Sequence, residues 1–512
     1  MKAFLAKFAA HITATLDCFD RVIFRGHLQA ISFPQGLEGW LAHKGITLQQ
    51  FGRFAQTQSE RLVLHAKATA AKHRRPYQYL PRKIRKDEEA RRLAARDGIT
   101  KGLIAVFAEL ELGYTFKLTW GHGRPRLQAS RRKCLCLYYY FLHPKLGLIH
   151  VRLQTWLPCA IQVAVNGHDW LSREMKRRGL EFDQLDNAFL RLADPARAQR
   201  IADEFCHQDW LAQLQSLAGL VNPLLDTTLP PQGYYWTVDQ AEFATDLIFD
   251  SRAALHPLFR ELVKHALLCF SARDVLGFLG KRLTGNLQAE VLHDFKTRVE
   301  GMRVKHRVGK NWIKMYDKFG RILRIETVIN HPYGFLIRRH GIRQGQRVIG
   351  WFVMTKGVAG LYRYAQIARS ANHQYLAGLA VVADPAPARQ LLHDCTRRVQ
   401  HGARTYRGFN PAATEDLALF RAVLDGQHHL HGFRNQQVRE ILHPNAATDR
   451  LNLRRLGARI SRQFARLHVR GLIAKIPRSH RWRVTADGHA FLSMAVKHHE
   501  EIYVQTLVQL AA

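Results

Sequence analysis

The sequence is short of acidic residues. Its 512 residues include 41 Asp and Glu against 77 Lys and Arg, which gives a formal net charge of +36. A charge of this size opposes compaction through self-repulsion unless a polyanion lies close by. A genome that prefers Arg codons would explain the choice of Arg over Lys, but it would not explain the deficit of acids. The composition therefore favours a nucleic-acid-binding protein.

Long apolar runs and paired cysteines are also missing. No stretch of about 18 uncharged apolar residues occurs, so the sequence predicts no membrane span and no membrane partner. Lys7, His11 and Asp17 interrupt the apolar residues near the N-terminus, so we expect no signal peptide. The seven cysteines are scattered, and the closest two, Cys134 and Cys136, lack the C-x-x-C spacing of a zinc site. These features predict reduced thiols in a cytoplasmic protein.

Apolar residues are plentiful enough for a folded protein. Hydrophobic residues make up 47% of the chain and aromatic residues 10%, and the length allows roughly two to four domains. The periodicity predicts an α+β multidomain fold in which an antiparallel sheet core is flanked by helices. We expect an N-terminal α/β region at 1–98, a central α+β domain at 99–400 and a separate C-terminal module at 411–512.

The segment 72–96 is a basic part of the N-terminal region. It carries ten Lys or Arg and three acids. Lys83 and Arg85 are candidates for phosphate contact, and Tyr77 and Tyr79 are available to stack on bases. The alternative interpretation is a solvated helix face.

The segment 99–165 has the composition of β-structure. It contains four stretches rich in aromatic and β-branched residues, separated by Gly, Pro and basic turns. In the last stretch His150, Arg152, Gln154 and Trp156 share one face. That face is either the solvent side of a sheet or a functional surface.

The following region, 166–222, is predicted to be helical, 223–233 to be a loop, and helices to follow up to about residue 280. In the segment 234–249, Asp239, Glu242 and Asp246 are spaced i, i+3 and i+7, which places them on one face if this segment is a helix. Three acids in an acid-poor protein predict a divalent-metal site. The alternative is the ordinary enrichment of acids at a helix N-terminus.

The segment 301–330 holds the densest set of reactive groups. Its apolar alternation predicts two strands joined by a turn at Gly320. The reactive side chains are Lys314, Tyr316, Lys318, Arg324 and Glu326. The first three share one face of the first strand, and the last two share one face of the second. If these faces meet, the side chains converge into a site suited to phosphate.

The phrase IKMYDK…LRIE, Ile313 to Glu326, resembles a motif of rolling-circle replication initiators of plasmids and filamentous phages. Those proteins nick one DNA strand with a tyrosine nucleophile and a divalent metal and leave a 5′-phosphotyrosine. The resemblance implies Tyr316 as the nucleophile, with Lys314 or Lys318 stabilising charge at the phosphate. It also implies Mg²⁺ or Mn²⁺ as cofactor.

Metal ligands follow from the same chemistry. Glu326 is the first candidate, His306 or His150 would complete the shell, and Asp239 and Glu242 are further candidates. The chain lacks a clear His-hydrophobic-His motif, which some relatives of this chemistry use. The three tyrosines at 138–140 leave open which tyrosine attacks.

The C-terminal module, 411–512, has the predicted order helix, helix, helix, strand, basic tip, strand, helix. Its stretch FxRLxxRGLIxK…RWRVTxxG resembles winged-helix DNA-binding domains, so the resemblance implies a winged helix-turn-helix. Residues 450–486 include ten Arg, one Lys and no acid. Candidate DNA contacts are Arg454, Arg455, Arg459, Arg462, Arg478, Arg481 and Arg483. The alternative is a winged helix used for protein contacts.

The chain as a whole also resembles long uncharacterised proteins associated with bacterial mobile elements, and this resemblance implies a bacterial, nucleoid-associated protein. We therefore predict a DNA-binding protein of a mobile element or replicon that nicks or transfers a DNA strand in a metal-dependent reaction. A non-catalytic winged-helix DNA-binding regulator is the first alternative. RNA binding through the aromatic β-rich middle is the second. Self-association into a homo-oligomer stays open.

Overall fold

The computed structural model describes residues 1–121, 123–268, 270, 272–280, 291–298, 301–380, 393, 395–411, 413–428, 432–445, 449–477, 479–497 and 499. The chain divides into two compact units. The first unit comprises Met1–Thr15, Ala244–Thr327 and Gln366–Ala512. The second comprises Leu16–Phe243 and Val328–Ala365. Both units combine helices with strands, so the fold is α+β.

The strands are numbered in chain order. They are β1 Ile12–His27, β2 Tyr77–Tyr79, β3 Gly102–Gly121, β4 Arg124–His143, β5 Gly147–Gln154, β6 Ile161–Asn166, β7 Phe182–Leu185, β8 Ala188–Leu192, β9 Tyr235–Phe249, β10 Val291–Arg298, β11 Gly301–Val308, β12 Asn311–Lys318, β13 Ile322–Ile329, β14 Leu336–Arg343, β15 Gln346–Val353, β16 Val399–His401, β17 Arg404–Tyr406, β18 Ile473–Lys475 and β19 Trp482–Val484.

The helices are named by their residues. The α-helices are Lys2–Lys7, Pro34–His43, Phe51–Lys72, Lys86–Arg96, Gly167–Arg177, Pro195–Asp203, Trp210–Val221, Arg252–Leu268, Ala272–Phe278, Leu361–Leu379, Thr414–Val423, Asn435–Leu442, Arg450–Val469 and Ala486–Lys497. Short 3-10 turns lie at Gln29–Ile31, Leu48–Gln50, Glu204–His207, Pro332–Gly334, Val358–Gly360 and Gly426–His428. Within the described residues, none of the helices combines the length and apolarity needed to cross a membrane.

The second unit is built on a mixed sheet. Its hydrogen-bonded strand order is β9-β1-β6-β5-β4-β3-β2. The pairs from β1–β6 to β3–β4 are antiparallel, and β2 runs parallel to β3. The antiparallel sheet predicted for 99–165 is confirmed. The helix Phe51–Lys72 buries Phe51, Ala55, Leu62 and Ala66 along one stripe, as its amphipathic pattern requires.

The first unit has the strand order β10-β11-β12-β13, with the Ala244–Phe249 end of β9 beside β13. Its core joins Leu255, Phe259 and Leu262 of the helix Arg252–Leu268 to sheet residues such as Ile313 and Ile325. Every residue of β13 is buried. Polar side chains on this strand must therefore find partners inside the protein, because an unpaired buried polar group is costly.

The turn between β12 and β13 occurs at the predicted position. Phe319 and Gly320 both have positive φ, at 59° and 72°, and Arg321 N–H donates to the Lys318 carbonyl at 3.2 Å. Positive φ at both central residues defines a type I′ turn, whose twist matches that of the flanking strands. This tight turn fixes which side chains of the two strands face each other.

The helical prediction for 234–249 is wrong, because this segment is strand β9. Its aromatic and β-branched residues outweigh the i, i+3, i+7 spacing of its acids. Side chains alternate along a strand, so Glu242 and Asp246 share one face and Asp239 lies on the other. The prediction of helices throughout 166–222 is also incomplete, since the hairpin β7–β8 interrupts them.

The C-terminal segment shows the predicted order of elements. Three helices, Thr414–Val423, Asn435–Leu442 and Arg450–Val469, precede the antiparallel pair β18–β19, and the helix Ala486–Lys497 follows. Their apolar faces form one core that includes Phe420, Phe464, Leu467 and Phe491. The long helix therefore turns its Phe464 side inward and leaves its arginine-rich side to solvent.

The cysteines of the described residues are free thiols. Cys18, Cys134, Cys136, Cys159 and Cys395 are buried, and Cys206 is half-buried. Burial raises the pKa of the Cys136 and Cys159 thiols to about 12. Both thiols are therefore protonated at neutral pH.

Candidate functional site

Three predicted site residues meet in the first unit. Lys314 and Tyr316 lie on the same face of β12 and reach Glu326 on the neighbouring β13. Lys314 Nζ lies 2.5 Å from Glu326 Oε1, and the Tyr316 hydroxyl donates to Glu326 Oε2 at 2.6 Å. Side chains alternate between the two faces along each strand of the hairpin, and this alternation brings the tyrosine and the lysine of β12 into contact with the carboxylate of β13.

Burial sets the chemistry of this cluster. Glu326 is 1% exposed, while Lys314 and Tyr316 are half-buried. A carboxylate so far from water needs a cation and hydrogen-bond donors, and Lys314 and Tyr316 provide them. The Tyr316 hydroxyl thus has a proton acceptor within hydrogen-bond distance, which is the arrangement of a nucleophile and its base.

Arg324 forms an ion pair with Asp246, which the sequence did not predict. Its Nε and Nη2 donate to the two carboxylate oxygens of Asp246 at 2.6 and 2.7 Å. Arg324 is 0% exposed and Asp246 1% exposed. This bidentate pair joins β13 to β9 and encloses the guanidinium. Arg324 therefore holds the strands at the cluster together and is closed to solvent.

A buried amide adds a second link between the same strands. Asn372, on the helix Leu361–Leu379, accepts a hydrogen bond from the Thr327 hydroxyl at 2.6 Å and donates to the Thr245 hydroxyl at 3.1 Å. Sequence reasoning missed Asn372. The available signal was a polar residue on the buried side of an otherwise apolar helix face.

The second unit contains its own pair of buried carboxylates, Asp20 on β1 and Glu242 on β9. Their ligand oxygens lie within 4.8 Å of each other. Arg21 Nη2 donates to Glu242 at 2.7 Å, and Asn187 Nδ2 donates to Asp20 at 2.8 Å. His168 Nδ1 is 3.1 Å from Asp20. Carboxylate oxygens are the ligands that Mg²⁺ and Mn²⁺ prefer.

Glu242 was a predicted ligand, whereas Asp20 was missed. Asp20 lies in a strand of an acid-poor chain and is buried, which is an unusual position for a carboxylate. The sequence signal was an acid inside the otherwise apolar and basic run FDRVIFRG. Its partner, Glu242, is far away in sequence, so only the fold could bring the two together.

Three other predicted ligands lie elsewhere. His306 Nε2 is 2.9 Å from the Tyr375 hydroxyl, His150 Nδ1 is 3.6 Å from Asp87, and Asp239 is 3.1 Å from Lys356 Nζ. Within the described part of the chain, none of the three belongs to a group of three or more His, Cys, Asp or Glu side chains close enough to share an ion. Their contacts hold side chains in place within the fold.

The alternative tyrosines are held in protonated form. Burial raises the pKa of all three phenols at 138–140, and carboxylates that accept from Tyr138 and Tyr140 raise it further. The Tyr140 hydroxyl donates to Asp87 at 2.7 Å.

The remaining predicted basic residues outside the C-terminal segment differ in their contacts and in their exposure. Lys318 Nζ sits 5.3 Å from the Phe319 ring centroid, beyond the cluster at Glu326. Lys83 is exposed, and the exposed Arg85 pairs with Glu88 within one helix turn. Lys83 and Arg85 are therefore accessible to a polyanion, whereas Lys318 is half-buried.

The C-terminal arginines divide into an exposed set and a structural set. Arg454, Arg455, Arg459, Arg462 and Arg483 are exposed. Arg459 reaches Glu415 at 3.1 Å, and Arg481 donates to the Gly432 carbonyl at 3.0 Å. Arg466, which was not predicted as a contact, is held by Asp416 at 3.2 Å and by the Gly408 carbonyl at 2.7 Å. Arg478 lies outside the described residues.

Comparison of the chain with protein-family models, curated proteins and solved structures found no match. A fold alone does not determine chemistry, so the function has to be inferred from the side chains themselves.

Proposed function

We propose that this protein of a mobile element or replicon binds DNA and cleaves or transfers one strand with Tyr316 as the nucleophile. The observation that carries the proposal is the 2.6 Å hydrogen bond from the Tyr316 hydroxyl to the buried carboxylate of Glu326. Glu326 takes the phenol proton as the Tyr316 oxygen bonds to phosphorus. The bond from phosphorus to the 3′-oxygen breaks, and that oxygen leaves as a hydroxyl after taking a proton from water. The product is a 5′-phosphotyrosine.

Lys314 supports this step by its charge. Its ammonium group lies 2.5 Å from Glu326 and stands on the same strand face as Tyr316. A cation in this position stabilises the phenolate and the negative charge that grows on the phosphoryl oxygens. Lys314 also compensates the cost of burying Glu326.

The cofactor of the proposed reaction is Mg²⁺ or Mn²⁺, assigned to the pair Asp20 and Glu242. The two buried carboxylates place their oxygens within 4.8 Å of each other, which is the kind of oxygen-ligand pair that a divalent ion prefers. A divalent ion, when bound, supplies Lewis-acid stabilisation of a phosphoryl oxygen.

The DNA contacts are assigned to the C-terminal segment as a winged helix. Three helices followed by two antiparallel strands fit that architecture. Arg455, Arg459 and Arg462 are spaced i, i+4 and i+7, so they share one helix face, and all three are exposed. In winged-helix proteins the third helix enters the major groove, where arginines contact bases and phosphates.

A DNA-binding regulator without catalysis is the second candidate. It is favoured by the ion pair between Lys314 and Glu326, because a carboxylate neutralised by a lysine is a weaker base for Tyr316. This candidate expects salt-sensitive binding to duplex DNA and no cleavage with either metal ion.

The test compares wild type with Tyr316→Phe and Glu326→Gln on circular single-stranded DNA and supercoiled plasmid, with Mg²⁺ or Mn²⁺. Denaturing gels detect nicked DNA and covalent protein–DNA adducts. We expect Tyr316→Phe to bind DNA as wild type does but to form no adduct. The exposed Tyr333→Phe is the matched control and should leave cleavage unchanged.

The outcomes separate the two candidates. Cleavage at the wild-type rate by Tyr316→Phe removes Tyr316 from its role. Tight binding by wild type without cleavage in either metal favours the regulator. In both cases Arg455→Gln should weaken duplex binding and reduce the slope of log affinity against log salt by about one.

A further inference from the structure

The strands β14 and β15 form a hairpin that pairs with no other described strand. We call this hairpin, Leu336–Val353, the ribbon. Gln344 and Gly345 form its turn with φ of 51° and 79°, which fixes a type I′ geometry and a single register. The register assigns every side chain to one of two faces.

The outer face of the ribbon is exposed along its whole length. It carries four cross-strand pairs, Leu336–Val353, Arg338–Trp351, His340–Ile349 and Ile342–Arg347. Ile342 is 70% exposed, Ile349 59% and Trp351 49%. Isolated exposed apolar residues are ordinary, but a contiguous row that includes a tryptophan marks a binding surface.

The inner face keeps the ribbon rigid. Phe352 lies across Gly341, where an added Cβ would come within 2.4 Å of the Phe352 ring. The guanidinium carbons of Arg339 and Arg343 lie 4.9 and 5.9 Å from the centre of the same ring. These contacts pack Phe352 against the middle of the inner face, although Arg339 and Arg343 themselves stay exposed, and they hold the outer row in a fixed orientation. Binding there costs little ordering of the protein.

Arg363 holds Trp351 from one side. Arg363 Nε donates to the Leu336 carbonyl at 2.8 Å, and its guanidinium carbon lies 5.1 Å from the centre of the Trp351 ring. This cation–π contact orients the indole, while about half of its surface stays open to solvent. An oriented, exposed indole is a platform for stacking.

Charge identifies the occupant of the outer face. No Asp or Glu occurs between residues 328 and 383, where seven Lys and Arg occur. Among the described residues, neither Arg338 nor Arg347 has a carboxylate partner. A second copy of the ribbon would bring these like charges together. A ligand with flat apolar groups and regularly spaced negative charges fits both the tryptophan and the arginines.

We infer that the outer face of the ribbon binds an unpaired nucleic-acid strand, with a base stacked on Trp351 and phosphates at Arg338 and Arg347. In a duplex the base faces are covered by their neighbours, so stacking on a side chain selects a single strand. The inference rests on the proposed function for the source of an unpaired strand. Binding at the ribbon requires neither Tyr316 nor a metal ion.

The test measures binding of the full chain to fluorescein-labelled oligothymidylate by anisotropy, in EDTA so that cleavage plays no part. Trp351→Ala should weaken binding by roughly 5- to 150-fold, the range for loss of one stacked base, and Trp351→Phe should restore most of it. Arg338→Gln should reduce the salt slope by about 0.7. Trp120→Ala removes another exposed tryptophan and is the matched control.

The readouts distinguish this inference from the proposed function. If wild type binds the oligonucleotide and Trp351→Ala binds equally well, the ribbon is not the site, whatever Tyr316 does. If Trp351→Ala weakens duplex binding as much as single-strand binding, the stated occupant is wrong. If Trp351→Ala changes the oligomeric state and not the affinity, the face contacts a second copy. Failure of Tyr316→Phe to abolish cleavage would leave the ribbon result untouched.

Discussion

The buried pair of Arg324 and Asp246 makes the sharpest energetic prediction. Asp246→Leu would leave the Arg324 guanidinium 0% exposed and without its bidentate carboxylate. A buried lysine or histidine can lose its proton to escape such a site, but arginine cannot. Removing one partner of a buried pair costs about 3–5 kcal/mol, so we expect a loss of this size in the free energy of unfolding.

The double variant Asp246→Leu/Arg324→Met tests the origin of that loss. Apolar residues of similar volume replace both charges, so neither is left buried alone. Such replacements are typically neutral or stabilising. The double variant should therefore recover most of the stability lost by Asp246→Leu, and the two single losses should not add.

Urea-induced unfolding monitored by far-UV circular dichroism gives the three free energies. The exposed pair of Arg191 and Asp183 is the control, and Asp183→Ala should change stability by less than about 1 kcal/mol. A loss below about 1 kcal/mol for Asp246→Leu would refute the reasoning about burial. Additive losses in the double variant would refute the reasoning about pairing.

Two further predictions concern the turn and an acid-sensitive histidine. Phe319 has a φ of 59°, which asparagine tolerates better, and Asn-Gly is the preferred type I′ pair. Phe319→Asn should therefore raise the melting temperature through a gain of about 0.5–1 kcal/mol, and an unchanged or lower value in calorimetry would contradict this. Desolvation and the charge of Lys497 lower the pKa of His265 to about 4 from 6.5. Below pH 6.5 the unfolded chain binds a proton at His265 that the folded chain does not bind, so the contribution of His265 to stability is fully present above about pH 6.5 and falls by roughly 3 kcal/mol between pH 6.5 and 4. His265→Gln should lose less stability than wild type between pH 7 and 4 in urea titrations, and equal losses would exclude this origin.

The contact of Tyr316 with Glu326 was predictable because it is local. Period-2 alternation and one turn residue, Gly320, determine the hairpin, and a hairpin determines which faces meet. The partner of Arg324 was not predictable in the same way. Asp246 lies on a strand whose residues from 241 to 249 are all buried. A strand buried on both faces shows no alternation of polarity, so its spacing of acids was mistaken for a helix.

The pairing of Asp20 with Glu242 marks the limit of local reasoning. The two residues belong to strands that are separated by most of the second unit in sequence. Neither strand has a sequence pattern that indicates the other as its neighbour. Strand order within a sheet is a property of the whole chain. His306 and His150 show the same limit, because the polar partner of each imidazole lies far away in sequence.

The buried thiols offer a way to observe the sheet opening. Only the thiolate reacts with alkylating reagents, and Cys136 and Cys159 are both enclosed and protonated at neutral pH. Modification of Cys136 therefore requires β4 to separate from its neighbours for long enough to admit water and reagent. The rate at which Cys136 is alkylated therefore reports how often β4 opens, and mass spectrometry can measure this rate on the unmodified chain.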